Sequence, residues 1–146
     1  MKIGIPKEIK NREYRVAATP ACVRAYVAQG NSVMVQQDAG LGAGFENAEY
    51  EAAGAKLVAD AATVWGSSEM IVKVKEPLAS EYDLMRPGQL LYTYLHLAAV
   101  PDLALALMRQ RVTAVAYETI EMADGTLPCL VPMSAIAGRL SVQEGA

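Results

Sequence analysis

QLLYTYLHLAAVPDLALALMRQRVTAVAY, residues 89–117, sets two apolar, β-rich runs on either side of a segment with helical spacing. The runs are QLLYTY at 89–94 and TAVAY at 113–117. Between them Pro101-Asp102 opens a helix through Arg111 that places Leu103, Leu107 and Met108 on one face. Both runs are too apolar to present a face to water, which is the mark of strands covered on both sides. The stretch therefore reads as strand, helix, strand within a parallel sheet.

The same rhythm continues outward. KIGI at 2–5, VMVQQ at 33–37 and EMIVKVK at 69–75 are further strand candidates. Thr19-Pro20 supplies an N-cap and first-turn proline for a helix to Gln29, with Gly30 just past its end. Asn47 to Ala53, closed by Gly54, and Asp60 to Trp65, closed by Gly66, are predicted as short helices. The fold class is α/β, a parallel, doubly wound, Rossmann-like sheet. A last helical pattern begins at Pro132-Met133-Ser134, with Met133, Ile136, Ala137 and Leu140 on one face, and runs into Gly145-Ala146. An apolar stripe with no later chain to cover it points to a truncated chain, Gly145 as a C-cap being the alternative.

Bulk properties exclude several function classes. At 146 residues the chain buries enough surface to fold without a disulfide or metal staple. A 53% hydrophobic, 20% charged composition is that of a globular chain and not a disordered one. The net charge of −3, with no Lys/Arg block, argues against a nucleic-acid partner. Cys22 and Cys129 belong to no CxxC and read as reduced thiols of a cytoplasmic protein; no metal site is expected. MKIGIPKEIK lacks the apolar core of a signal peptide. Pro101 and Asp102 interrupt the longest apolar stretch, so no membrane span is expected.

Four motifs offer chemistry. The glycines of DAGLGAGF, 38–45, follow a strand, but their register is not GxGxxG and no long helix follows, so they read as a turn and not a cofactor site. In IVKVKEP, Lys73 and Lys75 fall on one face of a strand ended by Pro77. Lys75 is either a solvated strand-edge charge or a ligand-facing ammonium at the carboxyl end of a parallel strand. His96, the single histidine, ends the next strand and so shares that sheet edge. It is either a structural imidazole or a proton relay working near pH 7. Arg15, in NREYRVAATP, is either a loop arginine among Lys10, Arg12 and Glu13 or a guanidinium fork for a small carboxylate. Together Arg15, Lys75 and His96 would supply an anion clamp, a carbonyl polariser and a proton relay, a set suited to a small α-keto or α-amino acid.

The chain resembles the N-terminal part of the family shared by alanine dehydrogenases and nicotinamide nucleotide transhydrogenases. The resemblance runs through IGIPKEIKNREYRVAATP, DAGLGAGF, IVKVKEPL, YTYLHLA and LVPMSAIAGR. Arg12 and Cys22 depart from its usual asparagine and small residue. The second lysine of KVKEP and the histidine of YLHLA align it with the dehydrogenase branch. The resemblance implies that Arg15 and Lys75 bind the substrate carboxylate and carbonyl and that His96 is the catalytic acid/base. It implies that Tyr94 and Met133 line the pocket and that Ser134 touches the nicotinamide nucleotide. The implied reaction is the reversible, NAD-dependent deamination of L-alanine to pyruvate and ammonium, by a homo-oligomer, a hexamer in this family. On this reading residues 1–130 are a substrate-domain segment and 131–146 the start of a helix leading to an absent NAD-binding domain. A truncated, non-catalytic module with assembly or regulatory surfaces is the alternative.

Overall fold

The computed structural model describes residues 1–145. Six strands form one sheet: β1 (Lys2–Ile5), β2 (Ser32–Gln36), β3 (Lys56–Val58), β4 (Met70–Val72), β5 (Leu90–Thr93) and β6 (Thr113–Ala116). Every pairing is parallel and the order is β3-β2-β1-β4-β5-β6. The sheet is thus doubly wound, with the winding reversing between β1 and β4. Among the described residues five α-helices accompany it, besides short 3-10 turns: α1 (Pro20–Ala28), α2 (Asn47–Ala52), α3 (Ala61–Ser67), α4 (Pro101–Gln110) and α5 (Val131–Glu144).

Strand periodicity divides the interior in two. Ile3, Ile5, Val33, Val35 and Val72 face one core, closed by Val23 of α1 and by Tyr50 of α2. Ile71 and Leu91 face the other, closed by Val64 and Trp65 of α3 and by Leu103 and Leu107 of α4. Successive residues of β4 therefore enter opposite cores, which is why that strand carries no polar side chain. The expected α1 is borne out: Thr19 Oγ1 accepts from the Cys22 N–H at 3.3 Å, and Gly30 follows with φ +81°.

Local differences from the sequence reading have physical causes. β4 ends at Val72 instead of Lys75, because β1 stops at Ile5 and leaves the next residues without a neighbour on that side. Gly66 lies inside α3 and does not terminate it. Met108 is 74% exposed, so the buried face of α4 is Leu103, Ala106 and Leu107. β3 is a three-residue edge strand, KLV, too short to show a period.

The glycine-rich loop after β2 is a structural support. An added Cβ on Gly42 would lie 2.9 Å from the Tyr14 carbonyl, and one on Gly40 would lie 2.6 Å from the Tyr50 ring. The Tyr50 hydroxyl donates to the Ala18 carbonyl at 2.9 Å. Both contacts press the loop against the segment that carries Arg15.

Candidate functional site

Beyond the carboxyl ends of β1, β4 and β5 the chain leaves the sheet, and ligands of open α/β sheets bind at such an edge. One cleft of about 240 Å³ there is lined by Arg15, Lys75, Tyr94, His96, Met133 and Ser134. All six side chains singled out in the sequence meet in it. A larger neighbouring cleft of about 560 Å³ shares Arg15, Tyr94 and Met133 and adds Lys73, Phe45 and Tyr117.

Arg15 comes from the long connection between β1 and α1. Its guanidinium is already gripped by Glu13: Nε donates to Oε1 at 2.8 Å and Nη2 to Oε2 at 2.6 Å. That pair holds the Glu13 carboxyl below the ordinary carboxylate range and the guanidinium above its usual value. The remaining nitrogen, Nη1, meets only the Met133 sulfur, at 3.0 Å. A thioether is a weak acceptor, so this corner is open to an anion.

Lys75 lies half-buried just past β4, and its peptide is fixed from both sides. On the β1 side, where no strand remains, the Glu8 carboxylate accepts from Val74 N at 2.7 Å and from Lys75 N at 3.4 Å. On the β5 side, buried Thr93 donates its hydroxyl to the Lys75 carbonyl at 2.9 Å. Glu8 in turn pairs with Lys73 at 3.3 Å, and Lys73 reaches Glu81 at 3.0 Å. Lys73, placed on one strand face with Lys75 by its spacing, is 1% exposed, a buried cation between two buried carboxylates. Burial pushes the Glu8 carboxyl up, against the pull of Lys73.

His96 follows β5 on an exposed turn, in the left-handed region with φ +49°. Glu118, beyond β6, accepts from both Leu95 N and His96 N. The Tyr94 ring stacks on the imidazole, centroids 6.1 Å apart and planes inclined by 16°. The Tyr94 hydroxyl donates to the Cys129 carbonyl, tying β5 to the stretch that leads into α5. Desolvation first, and nearby Cys129, raise the Tyr94 hydroxyl above its usual value, which suits a donor and not a base. Met133 and Ser134 stand in the first turn of α5, half-buried and exposed respectively.

Sequence reasoning missed the acidic partners Glu8, Glu13 and Glu118, and the buried role of Lys73. Only Lys73 carried a signal: a charge inside an apolar run must find a partner when buried. Glu8 lies 66 residues from Val74, a distance that local pattern does not span.

The sequence matches the family described as alanine dehydrogenase/PNT, N-terminal domain, over residues 4–137. Alanine dehydrogenases of Methanococcus maripaludis and Bacillus subtilis are 55% and 56% identical to it along the whole chain. The chain spans 39% and 38% of the length of those two relatives. A solved L-alanine dehydrogenase superposes with a TM-score of 0.94 at 57% identity, covering all of this chain and 40% of that one. A transhydrogenase from Sinorhizobium meliloti superposes with a TM-score of 0.76 at 29% identity, over 81% of this chain and 34% of its own. On the family match and these identities, the chain belongs to the alanine dehydrogenase/PNT family, whose N-terminal domain it matches.

Proposed function

We propose that the chain is the substrate-binding part of an NAD-dependent alanine dehydrogenase, which interconverts L-alanine with pyruvate and ammonium. The observation that carries the reading is the single cleft lined by Arg15, Lys75 and His96 at the carboxyl edge of the sheet. Residues 1–130 form the substrate segment, and 131–146 begin the helix toward a nucleotide domain; Ala146 lies outside the described residues.

NAD would be held mainly by that other domain. The connection from β1 to α1 runs from Pro6 to Thr19 without a glycine and without a helix start beside β1, so it offers no pyrophosphate cradle. Of this chain's residues, Ser134 on the cleft wall is the one that would touch the nucleotide. When bound, the nicotinamide supplies the hydride acceptor.

The chain's own residues do the rest. Arg15 offers Nη1 to the substrate carboxylate and so orients the Cα–H, a positioning effect. The Lys75 ammonium stabilises the negative charge that develops on the C2 oxygen as the carbinolamine gives up its hydroxyl proton on the way to the ketone. Water adds to the imine carbon of the oxidised substrate. His96 takes a proton from the resulting carbinolamine oxygen and delivers one to its nitrogen, so that the C–N bond breaks to give pyruvate and ammonium. Tyr94 and Met133 bound the space around the substrate methyl.

The family's hexameric assembly and a cytoplasmic location, suited to the free thiols of Cys22 and Cys129, complete the proposal. No helix among the described residues is long and apolar enough to cross a membrane. A second reading, a non-catalytic assembly module, draws on the exposed Val131, Ile136, Leu140 and Val142 of α5. The protein at its native length decides between them. Under the first reading it oxidises NADH with pyruvate and ammonium, and His96→Ala abolishes turnover while NADH binding persists. Full turnover in His96→Ala overturns the assigned chemistry. The 146-residue chain alone is expected neither to bind NAD tightly nor to turn over alanine.

A further inference from the structure

We propose that Glu118 is a positioning residue for His96, an inference that rests on the proton-transfer role given to His96 above. β5 ends at Thr93 and β6 at Ala116, so the strand ladder offers no acceptor to the amides of Leu95 and His96. Glu118 fills that place with a side chain. It sits two residues past β6, in a 3-10 turn, Tyr117–Thr119. Its Oε1 accepts from Leu95 N at 3.0 Å and from His96 N at 2.8 Å, and its Oε2 lies 3.3 Å from Leu95 N. Bonds from two amides to one carboxylate are charge-assisted and stronger than the ladder bonds they replace.

Both ends of this bridge are themselves anchored. Leu95 is buried, fixing one side of the peptide that Glu118 holds. The Thr119 hydroxyl donates to the Ala116 carbonyl at 3.2 Å, and the Tyr117 ring packs edge-on against Tyr92 and Tyr94 at 4.2 and 4.8 Å. On the far side of His96 the turn closes through Ala99 N to the His96 carbonyl at 2.9 Å, just before Pro101 opens α4.

The backbone shows why such an anchor is needed. At φ +49° His96 occupies a conformation that costs an L-residue about 1 kcal/mol, and a solvent-exposed turn relaxes from it unless held. Two amides bonded to a carboxylate in fixed position hold it. The imidazole's direction into the cleft follows from that φ, so the carboxylate sets the geometry of proton transfer without touching substrate.

The test uses the native-length enzyme with Glu118→Ala, Glu118→Gln and His96→Ala side by side. A displacement near 1 Å at a reacting group costs roughly 100-fold. Glu118→Ala is therefore expected to lower kcat about 10- to 100-fold while KM for pyruvate, set by Arg15 and Lys75, moves less than about 3-fold. Glu118→Gln keeps a carbonyl oxygen for the same amides and is expected to recover most of the lost kcat. Loss of the downfield amide proton signals of Leu95 and His96 in Glu118→Ala reports the released turn directly. If Glu118→Ala does not fold, Glu118→Asp, one methylene shorter, is read the same way. Wild-type kcat in the Ala or Asp variant, beside a dead His96→Ala, overturns the positioning role and leaves the function intact. A Gln variant as slow as Ala overturns it in favour of a charge effect. An active His96→Ala overturns the proton-transfer role of His96 on which the positioning role rests.

Discussion

Replacing Lys73 with methionine isolates the buried charges at the end of β4. Methionine keeps most of the apolar stem, so packing changes little and the ammonium is what disappears. It leaves Glu8 and Glu81, each buried, without the cation that sits 3.3 Å from one and 3.0 Å from the other. Removing one partner of a buried ionic set costs about 3–5 kcal/mol. At roughly 3 °C per kcal/mol for a domain of this size, Tm falls by about 10–15 °C. The pH dependence adds a second signature. Burial already raises the Glu8 carboxyl and Lys73 is the largest influence opposing it, so Lys73→Met raises it further. A raised carboxyl favours the protonated folded state. The deficit of the variant is therefore full above that raised pKa and shrinks as pH falls through it. Denaturant unfolding of both proteins between neutral and acid pH measures the gap. A loss under about 1 kcal/mol, or a gap that widens toward acid, refutes the assignment of Lys73 as the neutralising centre.

Gly42→Ala drives a Cβ to 2.9 Å from the Tyr14 carbonyl, a backbone atom that cannot rotate aside, and is expected to cost about 1–3 kcal/mol in denaturant unfolding. Thr19→Ala removes the acceptor of the Cys22 amide at the start of α1 and is expected to cost about 1 kcal/mol by the same measurement. Glu13 has its carboxyl lowered by the hydrogen bond from Arg15, so the pair's stabilisation is full at neutral pH and fades as pH falls below the ordinary 4.5. Glu13→Gln should flatten that acid limb of the stability curve; a limb of unchanged slope counts against the pair.

The sheet was readable because β1, β2, β4, β5 and β6 are apolar runs, and helix starts such as the Thr19 and Asp60 caps and Pro101 are local signals between them. β3 escaped because three edge residues with an exposed lysine carry neither run nor period. The overlong β4 is more instructive. Lys73, Val74 and Lys75 do keep the strand alternation: Lys73 N still donates to the Tyr92 carbonyl at 3.0 Å, and Tyr94 N to the Val74 carbonyl at 3.2 Å. What ends is the other side, where Glu8 takes over from β1, and no window on residues 69–75 contains that information. The candidate site divides in the same way. Arg15, Lys75 and His96 stand out by residue type and place along the chain. Glu8, Glu13 and Glu118, which hold them, look like ordinary surface acids until the strands are aligned.

His96 also bears on how this protein can change. A residue with a positive φ gains little from its side chain in fold stability, since glycine, and to a lesser degree asparagine, fit that slot with less strain. Selection for thermal tolerance alone would then push position 96 away from histidine, and the imidazole would go with it. Under the proton-transfer role proposed for His96, stability and chemistry make opposed demands at this one position, so screens for sturdier variants need an activity filter there above all.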